Sequence, residues 1–300
     1  MPGERAVGWL VVNRFLNNLK FSDIAERLIT AAHAQGARLD LKYNDGLLPA
    51  MGGEAFGVFD VLPEERPDFV LFYDKDVRLA VELERRGMRL FNNSRAIAIC
   101  DDKALTHAAL SGLLPMPLTY SAPFTYENIG YNDLSFAETL VEKLGLPVVI
   151  KEACGSFGQQ VYLARSMEEV ERILRAVGGK RVIFQRFIEE CSGRDLRLNV
   201  VGGRVIAAME RRSENGDFRA NVTIGGSMKK YVPTKEEEAL AIRAAELIGL
   251  DFCGADILPS KDGPLLLEVN SNAHFKSIYD CTGVNAADEI LAHILRSIGA

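Results

Sequence analysis

Gly254-Ala255-Asp256-Ile257-Leu258 is followed, after a short spacer, by Pro264-Leu265-Leu266-Leu267-Glu268-Val269-Asn270-Ser271. Both stretches are apolar and of strand length, and the Ser-Lys-Asp-Gly segment at 260–263 is typical of a hairpin turn. We therefore predict a β-hairpin with Asp256 on its first strand. Glu268 and Asn270 lie two residues apart on the second strand, so they project from the same face.

The hairpin places two carboxylates and one amide in an apolar setting. Such hard oxygen ligands are costly to bury unless a positive charge lies between them. Mg²⁺ that bridges nucleotide phosphates fits this pattern, because it takes few protein oxygens and completes its octahedron with phosphate and water. An acidic residue at a strand end is also commonly just capped or solvated. The hairpin alone leaves both interpretations open.

Composition narrows the classes of protein. The chain has 300 residues, 48% of them hydrophobic, and a net charge of −6, which argues against a general nucleic-acid binder but allows a local basic cleft for a small anion. No apolar run approaches the roughly 18–20 residues of a membrane span. The five cysteines are scattered and form no CxxC pair, which favours reduced thiols over a disulfide framework or a zinc site. We therefore expect a cytoplasmic protein with neither a nucleic-acid nor a membrane partner.

The first third of the chain alternates strands and helices. The pattern predicts strands at 6–12, 38–43, 68–73 and 88–91, a helix capped by Ser22 and ending near Gln35, and a helix at 77–86. This βαβ order predicts a parallel-sheet domain over residues 1–95. The first strand is not followed by G-x-G-x-x-G, so a nicotinamide-binding domain has little support.

The remaining two thirds predict two further units. The first, at 96–187, is a compact α+β lid with helices at 96–114, 134–144 and 167–176 and strands at 118–121, 147–151, 161–163 and 181–187. The second, at 188–300, contains strands at 195–201 and 204–212 joined by Gly202-Gly203, helices at 235–248 and 286–298, and the hairpin described above.

A lysine and a glycine-containing loop suggest a phosphate site. Lys151 ends an apolar strand, and the loop with Gly155, Ser156 and Gly158 follows within a few residues. Backbone amides beside a lysine can cover an oligophosphate. The segment is not a Walker loop, because no Gly-Lys-Ser/Thr opens a helix here. Lys103 is a second candidate, although a single helix-surface lysine is usually only solvated.

An arginine-rich block follows the lid. Its members are Arg194, Arg197, Arg204, Arg211, Arg212 and Arg219, with Asn221 close behind. Guanidinium groups that fork onto carboxylate or phosphate oxygens would offset the charge of a nucleotide and an acidic substrate. The alternative is a salt-bridged surface, since glutamates occur at 189, 190, 210 and 214.

Several motifs occur in a fixed order along the chain. They are Asp102-Lys103, Val149-Ile150-Lys151 with Gly155-Ser156-Phe157-Gly158, Arg194-Asp195-Leu196-Arg197 with Gly202-Gly203, Glu210-Arg211-Arg212, Gly216-Asp217-Phe218-Arg219-Ala220-Asn221 with Gly225-Gly226, and Glu268-Val269-Asn270-Ser271. Over about residues 68–298 this succession resembles the ATP-grasp superfamily. More narrowly, it resembles the RimK-type amino-acid ligases, which append glutamate or similar amino acids to a protein or small-molecule carboxylate.

The resemblance implies an α/β (α+β) protein with the ATP-grasp fold, behind an N-terminal parallel-sheet pre-ATP-grasp domain. It also implies a role for each matching residue. Lys103 and Lys151 would hold ATP phosphates under the loop of Gly155, Ser156 and Gly158. The segment Gln185-Arg186-Phe187 would meet the adenine through its backbone. Asp195 would lie near the ribose. Arg211, Arg219 and Asn221 would lie by the reacting groups, and Asp256, Glu268 and Asn270 would bind two Mg²⁺ ions, for which Mn²⁺ can substitute.

The implied activity is an ADP-forming, ATP-dependent ligation of a carboxylate to an amine through an acyl phosphate. Phosphoryl transfer of this kind relies on positioning and charge neutralisation. No enzyme nucleophile is needed, and the four histidines share no motif. The alternative is a catalytically silent ATP-binding regulator or scaffold of the same fold. Such a protein should lose its metal ligands or phosphate lysines first, yet all of them are present.

Two segments depart from the family pattern. The family usually has Glu-Tyr where this chain has Arg186-Phe187, which puts a side-chain role there in doubt. The family often continues its Asn-Ser with Pro-Gly, whereas this chain continues with Asn272-Ala273-His274-Phe275-Lys276. We therefore expect an acceptor other than the ribosomal-protein tail that names the family: a small molecule, a peptide or another protein.

Four residues are candidates for binding the acceptor or the amino acid: Arg197, Arg212, His274 and Lys276. A cationic pocket around His274 and Lys276 would favour an acidic substrate. The alternative is a loop lysine and a packed histidine. The resemblance also implies a homo-oligomer, either a dimer or a tetramer.

Overall fold

The structure is a computed structural model that describes residues 6–16, 19–50, 57–58, 66–155, 158–220 and 225–300. Its first sheet is parallel and has the strand order β2-β1-β5-β6. The strands of this region are β1 Val7–Val12, β2 Arg38–Tyr43, β3 Pro49–Ala50, β4 Gly57–Val58, β5 Phe69–Phe72 and β6 Leu90–Phe91, with β3 and β4 forming a small antiparallel pair. The predicted parallel βαβ arrangement is confirmed.

Two helices accompany this sheet, α1 Leu19–Ala34 and α2 Val77–Arg85. The prediction that Ser22 caps the first helix is wrong, because α1 begins three residues earlier. The N-cap of α2 is Asp76, whose carboxylate accepts a hydrogen bond from the N–H of Leu79 at 3.1 Å. Both helices end before glycines with positive φ, Gly36 and Gly87.

The predicted helix over 96–114 is two helices, α3 Ser94–Asp101 and α4 Lys103–Leu110. The break lies at Asp102, whose backbone is extended. Its carboxylate accepts hydrogen bonds from the N–H groups of Ala104 and Leu105 at 2.8 and 3.2 Å. An aspartate that caps a new helix in this way ends the preceding one, because the N-cap residue is not itself helical.

The second sheet is antiparallel, with the strand order β7-β10-β8-β9. Its strands are β7 Thr119–Ser121, β8 Val148–Glu152, β9 Val161–Ala164 and β10 Val182–Arg186, with helices α5 Ser135–Leu144 and α6 Met167–Val177. The fully buried Val148, Ile150 and Phe184 face these helices and fill the core between sheet and helices.

The third sheet is also antiparallel, with the strand order β13-β12-β11-β14-β15. Its strands are β11 Arg194–Val201, β12 Arg204–Ser213, β13 Gly226–Lys230, β14 Phe252–Ser260 and β15 Gly263–Asn270, and helices α7 Lys235–Ile248, α8 Lys276–Thr282 and α9 Ala286–Ile298 belong to the same region. The β14–β15 hairpin is confirmed. Strand β13 and helix α8 have no counterpart in the sequence-based prediction.

The first and last parts of the chain share one core. Leu10 and Leu71 of the first sheet belong to the same buried cluster as Leu28 of α1 and as Ile290 and Leu291 of α9. The C-terminal helix therefore packs with the N-terminal sheet, so the loops after β1 and β5 lie beside the third sheet. No helix in the described ranges is long and apolar enough to cross a membrane.

Candidate active site

A cavity of about 500 Å³ lies where the three sheets meet. One wall comes from β8 and β10, with Val149, Lys151 and Gln185, and the opposite wall comes from β11, β12, β14 and β15. The loops after β1 and β5 close a third side. This volume is in the range of small-molecule and cofactor sites.

The hairpin β14–β15 contributes the three candidate metal ligands to this cavity. Asp256 lies directly opposite Glu268 in the antiparallel register, and all three candidates, Asn270 included, line the cavity. The register then passes to the pair Ile257 and Leu266, which leaves Leu267 as an extra residue in β15. Bulges of this kind occur next to active sites, where they re-aim a side chain.

The bulge explains how Glu268 reaches the cavity. Leu266 and Val269 are fully buried in the core beneath the sheet, although they lie three residues apart. Without the extra residue, strict alternation would put Leu266 and Glu268 on the same face. With Leu267 inserted, Leu266 and Val269 both face the core, whereas Glu268 and Asn270 lie on the same side of the sheet as Asp256.

These residues fit Mg²⁺ that is shared with a nucleotide. No group of three or more His, Cys, Asp or Glu side chains that could hold a metal occurs in the described part of the chain. Two carboxylates and one amide would leave the other positions around Mg²⁺ to phosphate and water, which this ion usually takes as ligands. The Glu268 carboxylate has no hydrogen-bond or ion-pair partner among the described residues. It is therefore open to a cation.

Asp256 differs from Glu268, because it is ion-paired within a buried row of alternating positive and negative side chains. Arg197 holds Asp256 through two hydrogen bonds, one of them from Nη2 at 2.8 Å, and Nη2 of Arg211 lies 3.0 Å from Oδ2 of Asp256. Arg211 also forks onto Asp195, with Nε and Nη2 at 2.6 and 2.9 Å. Burial raises the pKa of Asp256, but Arg197 and Arg211 outweigh burial and hold the pKa below its usual range. Asp256 is thus ionised and fixed in position.

Two candidate phosphate ligands contact the described ends of the glycine loop, Gly155 and Gly158. Nζ of Lys103 donates to the carbonyl of Gly155 at 3.2 Å, and Nη1 of Arg219 donates to the carbonyl of Gly158 at 2.7 Å. Arg219 also forms an ion pair with Asp217 at 2.7 Å. These cations, together with Lys151, line the cavity. The predicted site residues Ser156 and Asn221 lie outside the described residues.

Lys151 has the least ordinary environment of these cations. Its side chain is buried in β8, and burial lowers the pKa of its ammonium group to about 8, an effect that Glu268 counteracts and Lys103 reinforces. An ammonium group so poorly solvated gains strongly from an anion. Lys151 is therefore well placed to bind phosphate oxygen atoms.

The segment Gln185-Arg186-Phe187 borders the cavity where the second and third sheets meet. The Gln185 side chain is buried and donates to Oγ1 of Thr119 at 2.9 Å. The Arg186 side chain is exposed and lies 3.5 Å from the carbonyl of Lys143. Phe187 contacts Phe218 edge to face, with ring centroids 6.3 Å apart. The arginine side chain thus points away, so its backbone is what borders the cavity.

Two predicted substrate residues do not reach the cavity. Arg212 neighbours Arg211 on β12 and therefore faces the other side, where it binds Glu210 at 2.5 Å. Lys276 begins α8 and forms an exposed pair with Asp280 at 2.7 Å. The expectation of a cationic pocket around Lys276 is therefore corrected, because α8 directs this lysine outward. Arg197 and His274 do line the cavity.

Sequence reasoning missed the residues that the N-terminal sheet contributes. Asn13 follows β1, and Tyr73, Asp74 and Lys75 follow β5; all four line the cavity. A signal was available, since ligands of open parallel sheets bind beyond the carboxyl ends of the strands. Asn272 also lines the cavity, although its neighbours His274 and Lys276, and not Asn272, are the residues that the sequence suggests for this segment.

A cavity lined by lysines, arginines, carboxylates and an amide, between two antiparallel sheets, fits an ATP-dependent ligase of the ATP-grasp class. The model of the RimK-like ATP-grasp domain matches residues 127–294, which is more than half of the chain. The chain belongs to this family.

Sequence relatives agree with this assignment, and solved structures share the fold. A probable alpha-L-glutamate ligase of Marinomonas sp. (strain MWYL1) is 43% identical over 216 residues, 71% of this chain and 69% of the relative. The ATP-grasp ligase PsnB complexed with its minimal precursor shares the fold at a TM-score of 0.71 and 19% identity, over 99% of this chain and 100% of that one. The D-alanine–D-alanine ligase of Bacillus anthracis complexed with ATP also has a TM-score of 0.71, at 15% identity and 99% of each chain.

Proposed function

We propose that the protein is an ADP-forming ligase that joins an amino acid to a carboxylate acceptor through an acyl phosphate. The amino acid that we propose is glutamate. The substrate carboxylate attacks the γ-phosphate of ATP and forms the acyl phosphate and ADP. The amine of the second substrate, as its free base, then attacks the acyl carbon; the C–O bond to phosphate breaks, the nitrogen loses a proton, and the amide and inorganic phosphate result. The names of the relatives, probable alpha-L-glutamate ligases, support glutamate as the amino acid.

The observation that carries the proposal is the meeting of two oppositely charged sets of residues across one cavity. Lys103 and Lys151 come from α4 and β8, whereas Asp256, Glu268 and Asn270 come from the β14–β15 hairpin. Cations alone would fit many anions, and carboxylates alone would fit many metals. Both sets together fit a nucleotide with Mg²⁺ on its phosphates.

Each set has its own task in the proposed reaction. Lys103 and Lys151 bind the phosphates, and Arg211 and Arg219 offset the negative charge that gathers between the carboxylate and the phosphoryl group. Asp256, Glu268 and Asn270 would hold two Mg²⁺ ions, which would neutralise charge on the phosphate oxygens. The backbone of 185–187 meets the adenine, and Asp195 lies towards the ribose. The loop of Gly155, Ser156 and Gly158 would cover the phosphates, and Asn221 would lie by the reacting groups.

We also propose that the chain divides into an N-terminal domain at 1–95, a lid at 96–187 and a C-terminal unit at 188–300. The three larger sheets support this division, since each of them lies within one of these ranges.

The proposal is tested by ADP release. Purified protein is incubated with ATP, Mg²⁺, mixed amino acids and a panel of peptides and small carboxylates, and mass spectrometry reads the mass added to each acceptor. The expected result is ADP release that needs both Mg²⁺ and an amino acid, with a product heavier than its acceptor by one amino-acid residue. Tight ATP binding without ADP release under every condition would instead identify a silent nucleotide-binding protein.

A further inference from the structure

The side of the cavity that faces the first sheet contains a buried carboxylate with no role in the proposed phosphate chemistry. Asp74 follows β5 and is 6% exposed, and Asn13 follows β1, the adjacent parallel strand. Asn272, two residues beyond β15, reaches the same place, because its Nδ2 donates to the backbone carbonyl of Asp74 at 2.6 Å. All three residues line the cavity.

The Asp74 carboxylate contacts only neutral donors. The backbone N–H of Lys75 donates to Oδ1 at 2.7 Å, and Nδ2 of Asn13 lies 3.2 and 3.3 Å from the two oxygens. The Lys75 ammonium group donates to Asp101 at 2.5 Å, and no cation of the described residues forms a salt bridge with Asp74. Burial raises the pKa of this carboxylate; its two N–H donors and the charge of the nearby Lys75 ammonium group counteract only part of that rise, and Asp76 adds to it. A cation brought by a ligand would supply a counter-charge in direct contact with the carboxylate.

Asn272 presents a second acceptor to the same space. Its orientation is fixed, because the carbonyl of Asp74 can only accept and must therefore face the amide nitrogen. Oδ1 of Asn272 is then the atom left over, and it is buried without a hydrogen-bond partner among the described residues. A buried acceptor of this kind is costly unless a donor reaches it.

We propose that Asp74 and Asn272 bind the primary ammonium group of the amino-acid substrate, while Asn13 holds the Asp74 carboxylate in place. The inference rests on the proposed function, since it assigns a site to one of the two substrates of that ligase. An ammonium group brings a positive charge and three donors, which match one carboxylate and one amide oxygen. A carboxylate in the same place would meet a like charge and an acceptor. The site therefore selects substrates with a free amine.

The test is equilibrium binding in the presence of ADP and Mg²⁺, where no turnover occurs. L-Glutamate is compared with glutarate, which lacks only the amino group, by titration calorimetry. The intact protein should bind L-glutamate at least about tenfold more tightly than glutarate, as expected for a charge-assisted hydrogen bond. Asp74→Asn should reduce this preference to within about threefold and leave the affinity for ADP unchanged.

Two further variants keep the test decisive. Asn272→Ala removes the second acceptor from a half-buried side chain, so it should lower the preference by a smaller factor even if Asp74→Asn does not fold. Lys276→Ala, whose side chain lies outside the cavity, should leave the preference unchanged. An undiminished preference in both Asp74→Asn and Asn272→Ala would overturn the site.

The wild-type protein provides an independent criterion. If L-glutamate does not bind, the other amino acids are compared in the same way, each with its own deamino analogue. A protein that prefers none of the amino acids over its analogue has no ammonium site. The ligase function is tested separately, by ADP release and by the mass of the product.

Discussion

Among single residues, Asp256 and Glu268 show how two carboxylates on paired strands acquire different properties. Asp256 is buried and accepts hydrogen bonds from Arg197 and Arg211, whereas the half-buried Glu268 has no such partner among the described residues. A carboxylate already shared by two guanidinium groups has few lone pairs left for a metal ion. Glu268 should therefore contribute most of the metal affinity, with Asp256 held by the arginines as a fixed second ligand.

Replacing Glu268 tests this assignment. Glu268→Gln keeps the shape of the side chain and removes its charge, so turnover should fall by at least about a thousandfold, as expected when metal-dependent charge stabilisation of several kcal/mol is lost. Thermal unfolding should be unchanged, because no described residue relies on Glu268 for a hydrogen bond. The matched control is Glu289→Gln, which removes an exposed pair with Arg204. A Glu268→Gln variant with near-native turnover would refute the metal assignment.

Lys151 gives the site a dependence on pH. Burial lowers the pKa of its ammonium group to about 8 from the ordinary 10.5, so the free protein loses this charge as pH rises through about 8. Bound phosphate favours the charged form. Nucleotide affinity should therefore fall as pH rises above about 8, by at most about tenfold per pH unit, and binding should take up protons in that range.

The measurement is ADP titration between pH 7.5 and 9.5 in two buffers of different ionisation enthalpy. Lys151→Arg is the matched variant, because a guanidinium group stays charged throughout this range. It should bind ADP with little pH dependence and little proton uptake, whereas Lys151→Ala should bind weakly at every pH. Equal pH profiles for the wild-type protein and the Lys151→Arg variant would show that another group titrates.

Among the helices, the ends are predicted accurately where the signals that set them lie within a few residues in the sequence. Helix α7 has the predicted bounds, because Thr234 and Glu237 form a capping box at its start and Gly249 adopts a left-handed conformation at its end. The split between α3 and α4 was missed, because Asp102 sits inside an otherwise continuous helical pattern. Its capping role depends on an extended backbone at that single residue.

Strand β15 shows the limit of period-two reasoning. The prediction that Glu268 and Asn270 share a face is consistent with the structure, since both line the cavity with Asp256. The bulge at Leu267 could not be predicted, because a run of three leucines carries no sign of which residue is extra. Only pairing with β14 decides that Leu266 faces the core.

The glycine loop allows a test at the scale of one turn. Gly158 has a φ of 72°, where an alanine is strained by about 1–2 kcal/mol, and its carbonyl accepts from Arg219. Gly158→Ala should therefore raise the Michaelis constant for ATP several-fold, because relief of the strain would displace the loop. The Michaelis constant for the acceptor should change much less.

Gly203→Ala is the matched control. Gly203 also has a φ of 72°, and a Cβ added there meets no atom within 4 Å. It lies in the β11–β12 turn, and it is not among the residues that line the cavity. Both variants should lose similar stability in thermal unfolding, and only Gly158→Ala should affect ATP. Equal effects of the two substitutions on the Michaelis constant for ATP would mean that the glycine loop has no specific role in binding the nucleotide.

Across the whole molecule, the site depends on contacts that join distant parts of the sequence. The hydroxyl of Tyr73 donates to the carbonyl of Ala273 at 2.6 Å, and Asn272 bonds to Asp74, some two hundred residues away. Sequence patterns predicted the sheets on either side, because strands and helices have local signals. They could not predict that the loops of the first sheet complete the cavity, because no local pattern records which loop meets which strand.

Asn92 joins the first sheet to the β14–β15 hairpin, and its loss should lower both the stability of the fold and the affinity for Mg²⁺. The side chain is fully buried. Its Nδ2 donates to the carbonyls of Phe252 and Ser271 at 2.9 and 3.0 Å, and its Oδ1 accepts from the N–H groups of Asp251 and Phe252 at 2.7 and 3.3 Å. It therefore holds the start of β14 and the residue after Asn270 at once.

Asn92→Ala leaves these buried backbone groups without partners, so the free energy of unfolding should fall by about 2–4 kcal/mol. Because Ser271 is released next to Asn270, the apparent affinity for Mg²⁺ in the ADP-release assay should fall as well. Asn93→Ala is the control: Asn93 caps α3 and bonds to Gly249 at an exposed position, so its loss should cost about 1 kcal/mol and leave the Mg²⁺ dependence unchanged. Chemical denaturation measures the stabilities, and a Mg²⁺ titration of turnover measures the site. If Asn92→Ala lowers stability but not Mg²⁺ affinity, the hairpin keeps its metal ligands in place without help from the first sheet.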